Sequence, residues 1–137
     1  MKPIKPEQID AILPFLDKFE AAGFSAGISN SEPNHLSEFH FDDVVLSFVQ
    51  TLHNSGWVTP KFKWTNWQDD AQKYVSSTDK IDSADAKTIQ KLFTTHVRKE
   101  RFCEGHLAAM FEDGHILALL RRLRVIRSDM DCGSGNE

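Results

Sequence analysis

Residues 89–126 read IQKLFTTHVRKERFCEGHLAAMFEDGHILALLRRLRVI, and this stretch decides the fold. Its apolar residues come in three runs: Ile89, Leu92, Phe93 and Val97; Leu107, Met110 and Phe111; and Ile116, Leu119, Leu120, Leu123 and Ile126. Within each run the spacing is that of one face of an α-helix. Gly105 and Gly114 stand between the runs, each followed by a histidine. The pattern predicts a helix from about Ala84 to Arg101, a turn over Phe102–Gly105, a short helix from His106 to Asp113, and a last helix from His115 to about Ile126.

The same period extends upstream. Ile9, Ile12, Leu13, Leu16 and Phe19 form an amphipathic face that begins near Pro6 and ends at Gly23, with Pro14 set to kink or split it. Residues 24–38 are rich in Ser, Asn, Gly and Pro and read as loop. A helix from about His40 to Ser55 follows, its face Phe41, Val44, Val45, Phe48, Val49 and Leu52, with Gly56 as cap and Trp57-Val58 folding back on the last turn. VTPKFKW (58–64) reads as extended but too short to found a sheet. Thr65 or Asn66 caps a short helix through Tyr74, VSSTDKID (75–82) reads as loop, and Asp82 or Ser83 caps the next helix. The expectation is an all-α protein: one domain of five to six helices over residues 1–127, one short extended segment near 58–64, and a disordered acidic tail over 128–137.

Composition narrows the function classes. The chain has 137 residues, 40% hydrophobic and 26% charged, with ten Phe and three Trp against one Tyr, as expected of one aromatic-rich soluble core. No apolar run approaches the roughly 20 residues a membrane helix needs. MKPIKPEQID lacks the apolar region of a signal peptide, and Cys103 and Cys132 are too few for a disulfide framework, so a reducing cytoplasmic setting is expected. The net charge of −4 argues against a general nucleic-acid coat. Charge is nevertheless segregated. Residues 1–97 hold nine Lys and thirteen acids (9 − 13 = −4), residues 98–127 hold six Arg and one Lys against four acids (7 − 4 = +3), and residues 128–137 add three acids. All six arginines fall in the middle segment, which points to a local anion site or to pairing with the domain's own acids.

The turn at Phe102–Gly105 is the candidate site. Backbone N–H groups of Glu104, Gly105 and His106 would lie at a helix N-terminus near Arg98 and Arg101, and such an end attracts phosphate or carboxylate. His96 and Glu100 fall on the core-facing stripe of their helix, where both must find partners. An arginine such as Arg101, Arg121 or Arg122 is the expected partner for Glu100; the alternative is that Glu100 and His96 line a pocket. Cys103 beside His106 is a candidate activated thiol. His96, His106 and His115 lie nine or ten residues apart on no common helical face, so no metal site is expected. The helix–glycine–helix arrangement suggests helix-turn-helix DNA reading, but LALLRRLRVI is too densely apolar for a groove-facing helix.

Arg98-x-Glu100-Arg101-Phe102-x-x-Gly105-His106-Leu107, then Gly114-His115-Ile116 and Arg121-Arg122-Leu123, resembles a family of short uncharacterised bacterial proteins, a domain of unknown function. Leu13-Pro14-Phe15, Gly23-Phe24, Gly56-Trp57-Val58 and Phe62-x-Trp64-x-x-Trp67 carry the likeness upstream, so that it spans roughly Ile12 to Ile126. The resemblance implies an acid where this chain has Lys63. The resemblance implies that Arg98, Arg101, Phe102, Gly105, His106 and Gly114 form one motif, with Trp64 and Trp67 in another part of the same cleft, and it implies no activity.

The leading expectation is a small binding module without a cofactor. Arg98, Arg101, Gly105, His106, Trp64 and Trp67 would accept a small anionic, nucleotide-like ligand or an acidic protein partner, with Trp57 a further candidate for the stacking wall. Nucleic-acid backbone is a less favoured ligand, and no membrane is involved. One alternative is a hydrolase acting on a phosphorylated or ADP-ribose-like substrate, with Glu100, Glu104 or His106 as acid–base residues. The other is a structural or regulatory interaction domain whose arginines sit in internal salt bridges.

Overall fold

The computed structural model describes residues 4–21, 27–30, 38–41, 43–59, 61–103 and 105–134. The first helical face is split as Pro14 requires, into α1 (Pro6–Ile12) and α2 (Pro14–Glu20). Leu13 joins them with helical dihedrals, but Pro14 has no N–H to continue the ladder. Ile9, Ile12, Leu16 and Phe19 are buried, as the periodicity requires. The expected cap at Gly23 lies outside the described residues.

Two expectations fail next. Within the stretch read as loop, β1 (Gly27–Asn30) pairs antiparallel with β2 (Glu38–Phe41) in the register Gly27–Phe41 to Asn30–Glu38. The following helix α3 is therefore Asp43–Asn54 and does not begin near His40. The period-two alternation of EFHF is a strand signal, and it outweighs the helical period at that point. Outside this two-stranded ribbon every described element is helical, and the all-α class holds.

Gly56, at φ +81°, closes α3, and the Trp57 N–H reaches back to the Leu52 carbonyl at 2.8 Å. This reversal is the glycine-capped helix end with its apolar follower, and Trp57 and Val58 are buried against the core. The described residues of 58–64 are turned, not extended: Phe62 N–H donates to the Thr59 carbonyl at 3.3 Å and Trp64 N–H to the Phe62 carbonyl at 3.0 Å. A 3₁₀ helix (Trp64–Trp67) leads into α4 (Gln68–Ser76), whose start has no side-chain cap from Thr65 or Asn66. The stretch read as a loop over 75–82 contains a further helical turn, α5 (Thr78–Ile81).

α6 (Ala86–Glu100) is the central element. Its N-cap is Asp85, not Asp82 or Ser83: Asp85 Oδ1 accepts the Thr88 N–H at 2.8 Å, and the hydrogen bonds from Thr88 hold its carboxyl below the usual range. Ile89, Leu92, Phe93 and Val97 enter the core, as do the polar residues Gln90, Thr94, Thr95 and His96. The first two of these polar residues tie down the strap after α3. Gln90 Nε2 donates to the Gly56 carbonyl at 2.7 Å, and Thr94 Oγ1 lies 3.1 Å from both the Trp57 carbonyl and the Thr59 N–H. α7 (His106–Glu112) and α8 (His115–Ser134) follow glycines with positive φ, Gly105 at +92° and Gly114 at +78°. α8 runs past Ile126 to Ser134, because no proline or capping glycine interrupts it at that point. Its Ile116, Leu119, Leu120 and Leu123 are fully buried. Edge-to-face contacts among Phe19, Phe48, Phe93, Phe111 and Trp57 fill the space between α2, α3, α6 and α7.

Candidate functional site

The break between α6 and α7 is built around Glu100. This residue is the last of α6, so its carboxylate projects over the start of α7. Oε2 accepts the Gly105 N–H at 3.0 Å and Oε1 accepts the Leu107 N–H at 2.7 Å. The His106 N–H is used as well, donating to the Cys103 carbonyl at 3.1 Å. The helix N-terminus that the sequence offered to an external anion is therefore capped by the protein's own carboxylate, which satisfies its orphan N–H groups and its dipole. The expected arginine partner for Glu100 is not used. Arg121 bonds Glu20 Oε2 at 2.7 and 3.0 Å, and Arg122 Nε donates to the Ala84 carbonyl at 2.9 Å.

His96 does meet partners on the core face, and they are the other two histidines of the stretch. His96 Nδ1 lies 3.0 Å from His106 Nε2, and His96 Nε2 lies 2.9 Å from His115 Nε2. The positive-φ glycines set this up. Each turns the chain so that the first residue of the next helix, His106 in α7 and His115 in α8, faces back toward α6. Burial pushes His96 well below the ordinary imidazole value, and the neighbouring His115, His106 and Lys99 push it the same way. His115 is pushed down to about 4, by burial first and by His106 second, with Asp113 opposing. His106, half-buried, is lowered by burial and by Lys99. All three rings are therefore neutral near pH 7.

His96 turns its two nitrogens to opposite neighbours, so no one point is reached by lone pairs from all three rings. Among the described residues no group of three or more His, Cys, Asp or Glu is arranged to hold a metal ion. The recess beside His106, lined also by Gln68, Gln72, Thr95 and Lys99, has a volume of about 10 Å³. That is room for about one water, far below the roughly 300 Å³ of a small-molecule pocket.

The other predicted site residues are dispersed. Arg98 is partly buried at the end of α6, and its Nε is fully buried with no hydrogen-bond partner. Arg101 and Phe102 are exposed in the turn, Phe102 by 77%. The Phe102 ring sits 5.9 Å from Trp64, so the structure does bring the 3₁₀ segment to this turn. Trp67, three residues on and so on the same side of a 3₁₀ helix, contacts Phe62 and Tyr74, with Lys91 of α6 over Phe62 and Trp67 at 5.7 and 5.8 Å. Trp57 is core, at 0% exposure, and belongs to no stacking wall. Cys103 is an exposed free thiol with no hydrogen bond to His106, whose Nε2 is turned to His96. Glu104 lies outside the described residues.

The remaining arginine pairs are structural. Arg121 to Glu20 ties α8 to α2, and Arg127 to Asp10, at 2.8 and 3.3 Å, ties α8 to α1. The Arg121 pair is about half exposed, so Arg121→Ala is expected to lower stability by no more than ~1 kcal/mol in a urea titration. A larger loss would mean that the pair is a required strut.

The architecture is a small helical domain whose three C-terminal helices converge on a buried histidine chain and an internally capped turn. The chain belongs to a family of unknown function (DUF6508), whose sequence model matches residues 4–129. No curated protein and no solved structure matches it at a significant level. No helix among the described residues is long and apolar enough to cross a membrane.

Proposed function

We propose that this protein is a binding module that takes an acidic segment of a partner protein on the edge formed by Arg101, Phe102 and Trp64. The observation that carries this reading is Phe102, a large aromatic ring 77% exposed, paired with Trp64 and adjacent to an exposed arginine. Aromatic and arginine side chains are the residue types enriched at interface hot spots. Lys61 and Lys63 are exposed on the segment leading into Trp64, and Lys99 stands at the end of α6, so the flanks of the pair are basic. Lys63 adds to that charge. At this turn, the occupied α7 N-terminus and the one-water recess beside His106 favour an open-surface partner over an enclosed ligand. The exposed free thiol of Cys103 fits a reducing, cytoplasmic setting. On α8, Arg121 and Arg127 are paired with Glu20 and Asp10, which supports a scaffolding role for those two.

The test follows Trp fluorescence and thermal unfolding while acidic peptides containing one aromatic residue, short single-stranded oligonucleotides and inorganic phosphate are titrated in turn. Peptide binding is expected to weaken ~10-fold or more in Phe102→Ala, and less in Arg101→Ala, whose binding should also depend less steeply on salt. Both variants should keep wild-type stability within ~0.5 kcal/mol, as surface changes do. Saturation by the oligonucleotide and not by the peptides would move the reading to nucleic acid. Saturation by phosphate alone would restore the small-anion site.

A further inference from the structure

The histidine chain is not used by the binding reading, and it lies at the joint that holds the α6–α7 turn in place. A neutral imidazole has one donor and one acceptor nitrogen. The two links, His106 to His96 and His96 to His115, each need one hydrogen, so a neutral chain satisfies both links in either direction. One added proton is still compatible: a protonated ring donates at its link and the others reorient. Two added protons are not. Whichever two rings carry them, one link then holds two hydrogens facing each other, and where His96 is one of the two, two cations also meet across a contact of about 3 Å.

The surroundings offer no relief. α6 presents Lys99 to His96 and His106, a like charge that opposes protonation. From α4 the recess at His106 is lined by uncharged residues, Gln68, Ala71, Gln72 and Val75. The turn before α8 supplies Asp113, which acts on His115 alone. Glu100, beside His106, has both oxygens engaged by the Gly105 and Leu107 N–H groups.

We propose that the His106–His96–His115 chain is an acid-released latch: its neutral rings fasten α7 to α6 and α8, and uptake of two protons frees α7 together with the turn that precedes it. α7 is seven residues long, too short to persist as an isolated helix, so its order depends on this latch, on the Glu100 cap and on its buried apolar face. The sign follows from the folded chain binding protons more weakly than the open one. Above the ordinary imidazole pKa of about 6.5 both forms are neutral and the latch is at full strength. As pH falls from there toward about 4, the open form takes up protons first, and the closed-to-open ratio drops by up to ~10-fold per pH unit for each histidine.

The experiment is amide hydrogen exchange on the full chain, corrected for intrinsic rates, at about pH 7.5 and about pH 5.5, a window in which histidines and not carboxylates titrate. Protection over Leu107–Glu112 is expected to fall ~100-fold between the two, while α3, which has no part in the chain, keeps its protection. His115→Gln should flatten that dependence. Should it not fold, His106→Gln, at the half-exposed end, gives the same reading. His53→Gln, exposed on α3, should leave the dependence as in wild type. Equal protection of α7 at both pH values, or an unchanged dependence in His106→Gln, would overturn the latch. So would retention of one zinc per chain after dialysis, because a metal would hold the rings in a different arrangement.

Discussion

Replacing Trp57 by alanine is expected to lower the unfolding free energy by about 3–5 kcal/mol, the usual range for emptying a fully buried aromatic site. The ring has no exposed surface, packs edge-on against Phe93 at 5.8 Å, and donates its Nε1 hydrogen to the Gln8 carbonyl at 2.8 Å. It is therefore the joint between α1, the end of α3 and α6. Gln8 makes a second tie there, its Nε2 donating to the Ser55 carbonyl at 2.9 Å, so a cavity at Trp57 loosens contacts on all three elements. A domain of this size has roughly 5–15 kcal/mol in hand, so the variant gives up a large share of its stability. Trp57→Phe keeps most of the apolar area and loses the indole hydrogen bond, so its expected loss is smaller, about 1–3 kcal/mol. Urea titration with a shared slope decides the matter. A loss below about 1 kcal/mol for alanine would mean that Trp57 is a surface residue, and it would return the ring to the stacking wall with Trp64 and Trp67.

This core role and the histidine chain mark where sequence reading succeeded and where it stopped. Helical periodicity placed Phe48, Leu92, Phe93, Leu119 and Leu123 inside, because a face repeating every three or four residues must be buried along its whole length. The same rule put His96 and Glu100 on the core side of α6. Their partners were not legible, since spacings of nine and ten residues say nothing about convergence until the turn geometry is known. A signal was nonetheless present: two Gly-His pairs, each at a helix start, following a helix with an inward histidine. Glycine in the left-handed region redirects the chain, and the next residue is the one it aims. The partner of the α7 N-terminus was missed for a related reason. An N-terminal helix end attracts a carboxylate, but a segment that carries a glutamate a few residues upstream supplies its own. The ribbon was missed because Ser, Asn and Gly are common to loops and hairpins alike, and only EFHF carried the period of two.

Glu100 is the second position where a large effect is expected. Glu100→Ala removes two charge-assisted hydrogen bonds from the Gly105 and Leu107 N–H groups at the start of a seven-residue helix. The expected loss is about 2–3 kcal/mol, above the ~1 kcal/mol typical of a single cap. Glu100→Gln keeps one acceptor oxygen and turns an amide donor toward the other N–H, so roughly half that loss is expected. Exchange at Gly105 and Leu107 should speed up in both variants, with α3 unaffected. A catalytic base behaves differently: glutamine at its position abolishes turnover and leaves stability nearly unchanged. If Glu100→Ala proved as stable as wild type, the carboxylate would not be the cap, and the α7 N-terminus would be open to an external anion. Added phosphate should then raise the melting temperature of the variant, and of wild type once Glu100 is displaced. The same two variants thus separate a scaffold carboxylate from a ligand-binding turn, because the helix end has one set of N–H groups and they cannot be satisfied twice.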